Sequence, residues 1–255
     1  MQTETIIYEQ PLNEIVRVCL RLEQLFQALD HKLNDETKLG THHVIRLIID
    51  ILQILERPDL KAKFSKELNS CLTSLMRYGS LPQIDAKKLE TLTQQLEELS
   101  RHLIDSNEKI GHHLRDTCLL NALRLHLSTP GGGCSFDTPL YHYWLQQPFA
   151  TRRAIITDWL KSFTQIQAGV ALLLDIVRNH TKTEEKTAPH GFHQELLDPQ
   201  TNLRMIRISI HAEIHAFPQI SVGRHFLSVR FFSPNIIEQP HQYADDLFFW
   251  LTYCY

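Results

Sequence analysis

The sequence predicts an α+β protein: a mostly helical N-terminal body followed by a small, mainly antiparallel β-sheet near the C-terminus. Three observations predict it. Apolar residues recur at intervals of three and four from Leu12 to about His180, they alternate from Arg204 onward, and the polar stretch NHTKTEEKTAPHG separates the two patterns. Three-four spacing lines one face of a helix and alternation lines one face of a strand. Helices first and strands afterwards is the order of an α+β chain. The change of period sets a helical domain over 1–182 and a β-strand domain over 183–255, with room for an N-terminal strand to join the sheet.

The first helix follows from Leu12, Ile15, Val16, Cys19, Leu20, Leu22, Leu25, Phe26 and Leu29, which recur at the three-four spacing that lines one helix face. Asn13 and Glu14 put polar and acidic groups where the helix dipole favours them. A second helix over 41–56 stops before Pro58, which disfavours helical geometry at Arg57. A third covers about 59–78, with Gly79 suited to cap its C-terminus. Asp85 reads as the N-cap of a helix carrying Leu89, Leu92, Leu96, Leu99 and Leu103, too few heptads for a long coiled coil and suited to core packing. Further helices are expected over 111–127 and 151–180. A strand over 204–215 then buries Ile206, Ile208, Ile210, Ala212 and Ile214. After Val222–Gly223 a second strand turns Leu227, Val229 and Phe231 one way and Arg224, Phe226, Ser228 and Arg230 the other. A last aromatic strand over 247–255 closes the sheet.

Composition narrows the function. Apolar residues make up 43% and charged residues 22%, and the formal charge is −3. Without a basic excess, nothing draws the whole molecule onto nucleic acid. The five cysteines are scattered and never form a CxxC pair, which suits reduced thiols in a cytosol. The start MQTETIIYEQ lacks the pattern of a signal peptide, and no apolar run approaches the ~20 residues of a membrane span. A cytoplasmic protein with no direct membrane insertion is expected.

The stretch STPGGGCSFDTPLYHYWL holds three of the nine glycines. A phosphate loop needs a Lys and a hydroxyl after its glycines, and a dinucleotide fingerprint needs a strand before them; neither is here. Thr129–Pro130 ends a helix, the glycines reverse the chain, and Ser135 or Asp137 caps the next helix. Cys134 and His142 form a nucleophile-and-base candidate, though eight residues of separation do not ensure contact and cysteine is most often a small buried hydrophobe. His211, Glu213 and His215 on one strand face form a zinc candidate. Their spacing of nearly 7 Å, about twice the strand rise, is long for neighbouring ligands of one ion. Arg207 on one strand with Arg224 and Arg230 on another, flanked by Phe226, would make a basic strip for an extended acidic peptide, against the alternative of a solvated polar face.

The opening MQTETIIYEQPLNEIVRVCLRLEQLF, the stretch ILERPDLKAKFSKEL, the loop LSTPGGGCSFDTPLYHYWL, the turn FPQIS and the strand ending VRFF resemble, in order and over nearly the whole chain, the ZapD family. The resemblance implies a helical domain plus a β domain, a symmetric homodimer, and no enzymatic activity or cofactor. It implies binding to the C-terminal peptide of FtsZ, the bacterial tubulin homologue, with bundling of FtsZ protofilaments and support of the division ring at mid-cell. The basic positions it carries over are Arg17 and Arg21 in the first motif, Arg57 before Pro58, Arg115 in HLRD, His142 in the loop and Arg230 in VRF. A further family arginine falls on Phe226, for which Arg224 can substitute. In this reading the glycine loop presents His142 toward the cleft and Cys134 is a packing residue.

Cross-linking needs two sites held apart, which a two-fold dimer supplies. Exposed charge pairs are screened over a Debye length of about 8 Å in physiological salt, so bundling should weaken as salt rises. The competing classes are a zinc-dependent or thiol enzyme on His211/Glu213/His215 or Cys134/His142, and a membrane-surface adaptor using an amphipathic helix.

Overall fold

The computed structural model describes residues 4–78, 91, 93–99, 101, 111–198 and 200–255. The chain is α+β, as the two periodicities predict. It forms two compact units: a β unit of the residues up to Arg17 together with Leu174–Tyr255, and a helical unit, Val18–Leu173. The first strand, β1 (Thr5–Pro11), is followed by helices α1 (Glu14–Lys32), α2 (Lys38–Leu55) and α3 (Leu60–Tyr78), a helical segment α4 (93–99), and α5 (His112–Arg115) to α6 (Cys118–His126). Then come α7 (Pro139–Leu145), α8 (Phe149–Leu160), a 3-10 turn (Lys161–Phe163) and α9 (Thr164–Asn179). The remaining strands are β2 (Thr181–Ala188), β3 (Phe192–Leu196), β4 (Met205–His211), β5 (Phe217–Val222), β6 (Phe226–Ser233), β7 (His241–Gln242) and β8 (Leu247–Cys254).

The helical unit is built on the stripes the sequence shows. Cys19, Leu22, Phe26 and Leu29 of α1, Ile45, Ile48 and Leu52 of α2, and Phe64 and Leu68 of α3 are buried, as are Leu96 and Leu99. The Asp85 cap, the Gly79 cap, and Leu89, Leu92 and Leu103 lie outside the described residues. Asn13 begins α1 by accepting the Ile15 amide on its side chain at 2.7 Å, and Thr37 caps α2 by accepting from Gly40 at 2.9 Å. Arg152 is buried at 4% exposure yet fully engaged. It donates to the carbonyls of Gln147 (3.1 Å) and Glu36 (3.0 Å) and to the Thr41 hydroxyl, so a buried charge is tolerated because its donors are met.

Several expectations need correction here. The helix over 111–127 is two helices, because Thr117 takes an extended conformation (ψ 114°) between α5 and α6. The helix over 151–180 is interrupted by the 3-10 turn. The stretch Phe149–Asn179 is long and apolar enough to cross a membrane by length and composition, contrary to the sequence expectation. In this fold its Ile156, Trp159, Phe163, Ile166 and Val170 are buried core residues. Between α6 and α7, neither Ser135 nor Asp137 caps the next helix: Thr138 is the N-cap, with Pro139 at the first helical position.

The glycine run is a reversal built on backbone. Gly131 and Gly133 have φ of +73° and +89°, the left-handed region that glycine enters without steric cost. A Cβ on Gly132 would sit 1.7 Å from the His126 carbonyl oxygen. That approach requires the absence of a side chain.

The β unit holds two antiparallel sheets, ordered β1-β4-β8-β2 and β3-β6-β5, with β7 pairing the end of β6. Their inner faces share one core: Ile206, Ile208 and Ile210 of β4 and Leu247, Phe249 and Leu251 of β8, with Leu227, Val229 and Phe231 of β6. This is a sandwich, whose strands alternate inward apolar and outward residues. The strand expected over 204–215 stops at His211, where the Ala212 amide donates to the Glu4 carbonyl at 2.8 Å and the chain turns. The polar stretch read as a spacer is β2, an edge strand paired along its length with β8. Its alternation is hidden because its inward-facing positions carry charges that pair among themselves.

Those charges form a clasp at the sandwich edge. Lys182 and Lys186 of β2 lie 2.6 and 2.7 Å from the Glu184 carboxylate. Lys186 also reaches Glu195 of β3 at 3.0 Å, His193 Nε2 lies 3.1 Å from the same oxygen, and the Tyr253 hydroxyl of β8 donates to the other. Hydrogen bonds from Lys182 and Lys186 lower Glu184 to about 2. Burial pulls Glu195 upward, but donation from Tyr253, His193 and Lys186 outweighs it, so its value is also lowered.

Two predictions follow from this packing. Both carboxylates are depressed, so the clasp stabilises the β unit fully above the ordinary carboxylate range near ~4.3 and loses this as pH falls through the folded values. Amide exchange of β3 and β8 should therefore accelerate as pH is lowered from ~5, after correction for intrinsic rates, and Glu195→Gln should flatten that dependence; an identical slope in the variant would contradict the clasp. In the glycine run, Gly131→Ala meets no atom within 4 Å and should cost about 1–2 kcal/mol for its left-handed backbone. Gly132→Ala should lower the thermal midpoint further, because backbone must move.

Candidate functional site

Three segments distant in sequence meet in the β unit around a cavity of about 320 Å³. The first is the junction of β1 and α1, contributing Gln10, Pro11, Leu12 and Arg17. The second is the connection from β3 to β4, with Leu197, Asp198, Thr201 and Leu203, and the third is the β5–β6 turn, with Val222, Gly223 and Arg224. Backbone hydrogen bonds pin the walls together. The Leu12 amide donates to the Arg204 carbonyl at 2.8 Å, and the Leu197 amide to the His225 carbonyl at 2.8 Å. The turn itself closes with the Gly223 amide on the Phe226 carbonyl, also at 2.8 Å.

Two guanidinium groups line this cavity. Arg17 is exposed on the start of α1, and its Nη2 donates to the Pro11 carbonyl at 3.3 Å. Arg224 is exposed at the tip of the hairpin turn. Neither has a carboxylate partner among the described residues. The acid on the lining, Asp198, accepts the Gln200 amide on its Oδ1 at 2.9 Å. A guanidinium presents five N–H donors in a planar fork, so most of this donor capacity remains for a carboxylate ligand. The cavity is of a size for side chains and a short length of extended peptide.

The other expected site residues fall elsewhere. Arg230 projects from the outer face of β6, with its guanidinium 5.3 Å from the Phe192 ring centroid, a cation–π pair. Phe226, where the resemblance implies an arginine, is 49% exposed and pairs with Leu196 across β3 and β6. Arg21, Arg57, Arg115 and His142 belong to the helical unit. Arg21 lies one turn beyond Arg17 on α1, and it, Arg57 and His142 are exposed.

The basic strip joining Arg207 to Arg224 and Arg230 is not formed. Arg207 is on β4 in one sheet and Arg230 on β6 in the other, and their side chains leave opposite outer faces of the sandwich. Arg207 is instead part of a half-buried ion cluster. Its Nε lies 3.2 Å from Glu9 Oε1, although the N–H is not aligned for a hydrogen bond. Arg178 holds the same carboxylate with two hydrogen bonds of 2.9 and 2.8 Å. Spacing could not show this, because strands that alternate alike can belong to different sheets.

The enzyme candidates also change. His211 ends β4, and Glu213 and His215 follow in the turn, so the three do not share a strand face. The His211 ring packs edge-on against Trp250, with centroids 4.7 Å apart. Among the described residues, no group of three His, Cys, Asp or Glu is arranged to hold a metal ion. Cys134 is exposed rather than a packing residue, because the glycine reversal carries it to the surface; its thiol donates to the Gly131 carbonyl at 3.2 Å. His142 Nε2 lies 3.5 Å from the Gln146 amide nitrogen.

Comparison with known proteins matches residues 20–230 to the family model described as ZapD, cell division protein. The chain is 34% identical to the cell division protein ZapD of Coxiella burnetii over 256 residues, covering 100% of this chain and 99% of that one. It is 34% identical to that of Nitrosomonas europaea, over 98% of this chain and 95% of the relative. To that of Methylococcus capsulatus it is 32% identical, over 98% of both chains.

The thiols give this geometry a direct check. Cys118 and Cys134 are exposed, and Cys19, Cys71 and Cys254 are buried; burial raises Cys254 to about 11. An aromatic disulfide reagent at neutral pH should titrate two thiols rapidly in the native protein and the remaining three only on unfolding. Cys134→Ser should remove one fast equivalent.

Proposed function

We propose, starting from the fact that this chain belongs to the ZapD family of cell division proteins, that it binds the C-terminal peptide of FtsZ and cross-links FtsZ protofilaments. The observation that carries this reading is the convergence of Arg17 and Arg224 at one cavity, from segments far apart in sequence, without a carboxylate partner among the described residues. Acidic side chains of an extended tail supply the missing partners, and Leu12, Leu197 and Leu203 supply apolar contact. Arg21, Arg57, Arg115, His142 and Arg230 are further contacts in the same proposal. Arg224 takes the role of the arginine that Phe226 replaces.

The cross-link itself comes from a cytoplasmic homodimer. One tail site per protomer would only decorate a filament, whereas two sites related by a two-fold axis join two filaments. Each contact can be weak, because the many tails along a polymer raise the effective concentration of the second one. Exposed charge pairs dominate the contact, so bundling declines with ionic strength.

The test is co-sedimentation and light scattering with FtsZ polymers. Wild-type protein should pellet with intact FtsZ and fail to pellet with FtsZ lacking its terminal peptide. Arg17→Glu, Arg224→Glu and Arg230→Glu should each weaken binding at least tenfold, about 1.4 kcal/mol or more, with the circular dichroism spectrum unchanged. Wild-type binding by any one of these variants removes that residue from the site, and undiminished binding to the truncated polymer rejects the reading.

A further inference from the structure

The outer face of the sheet β1-β4-β8-β2 is covered at one end and open at the other. Met205, Thr252 and Cys254 are buried, and Arg178 of α9 reaches Glu9 on this face. Toward the opposite end of the same strands, Ile7 is 48% and Phe248 72% exposed. The register places Ile7, Ser209, Trp250 and Glu185 in one row across the four strands. Ser209, between Ile7 and Trp250, is the smallest side chain of the row.

Trp250 is held in place from two sides. Its Nε1 donates to Glu185 Oε1 at 3.3 Å, and the His211 ring meets it edge-on at 4.7 Å. A tryptophan fixed before binding loses little freedom on contact, which is the property of an energetically dominant interface residue. Phe248 extends the apolar surface beside it.

Among Ile7, Ser209, Trp250, Glu185 and Phe248, Glu185 alone carries a formal charge. Glu185 is exposed and its carboxylate faces the indole. Lys182 and Lys186, its neighbours along β2, point to the opposite face, where they pair with Glu184. An indole face beside a carboxylate suits a cation, which is attracted by both the ring quadrupole and the charge.

We infer that this face docks an extended segment of a partner protein carrying an arginine or lysine between apolar residues. The cation sits over Trp250 against Glu185, and the apolar residues cover Phe248 and Ile7. A second copy of the chain is a poorer occupant, because a two-fold contact on this face would present Ile7, Ser209, Trp250, Glu185 and Phe248 again, a set with no arginine or lysine to pair with Glu185. This surface selects the charge opposite to that selected at Arg17 and Arg224, and does not depend on that site.

The test uses the full-length protein and two synthetic probes: an acetylated, amidated hexapeptide of alternating leucine and arginine, and its counterpart with glutamate for arginine. Calorimetric titration should give saturable binding of the basic probe and at least tenfold weaker binding of the acidic one. Glu185→Gln and Phe248→Ser should each weaken the basic probe at least fivefold, whereas the double variant Arg17→Glu/Arg224→Glu should bind it as wild type does. Three results would overturn the inference: no binding of the basic probe up to millimolar concentration, equal binding by wild type and Glu185→Gln, or a wild-type dimer that Phe248→Ser dissociates, which would assign the face to a second copy. Circular dichroism of each variant separates loss of contact from loss of fold.

Discussion

The pairing of β1 with β4 is the constraint on which the β unit and its site depend. It joins the start of the chain to a strand near its end, from Thr5 opposite His211 to Pro11 opposite Met205. Closing so long a loop costs chain entropy, though the cost grows only slowly with length. Burial of β4 against β8 and β6 offsets it, and Glu9 of β1 is locked between Arg178 and Arg207. Because β1 runs directly into α1, the register that seats Pro11 also places Arg17 at the cavity, across from the β5–β6 turn. Without this strand, the two cationic groups would have no common address.

The helices were largely legible in the sequence, because each writes its own stripe. Cys19, Leu22, Phe26 and Leu29 are spaced for one face, and they are buried. The inward set Ile206, Ile208 and Ile210 was equally clear. The sequence hid β2, whose inward positions are Lys182, Glu184 and Lys186; alternation of charge with charge carries no hydropathy signal. It also hid the number of sheets, which is decided by which strands pair and leaves no mark within any one strand. That is why Arg207 and Arg230 looked like neighbours. The cavity was illegible for a related reason: its walls are three loops, held by backbone hydrogen bonds whose partners no spacing reveals.

Several histidines whose role composition left open serve as local fasteners. His190 Nδ1 lies 2.9 Å from the Ala244 carbonyl, His42 Nδ1 2.9 Å from the Tyr141 hydroxyl, and His193 sits in the Glu195 clasp. His42 thereby joins α2 to α7, while His190 and His193 fasten a turn and a strand of the β unit, a task suited to a ring with two separately placed nitrogens. The β unit thus offers two surfaces of opposite character: a cationic cavity among loops and an acidic aromatic face on a sheet. Like charge is disfavoured at each surface, so the two would select ligands of opposite sign.

The central claim is that Arg17 and Arg224, brought together only by the fold, form one seat for an acidic tail. Backbone chemical-shift mapping of isotope-labelled protein with the isolated FtsZ C-terminal peptide tests it most directly. The amides of Arg17, Asp198 and Gly223–Arg224 should shift together along a single binding isotherm. Shifts confined to the helical unit, or a response at Arg224 without one at Arg17, would contradict the account.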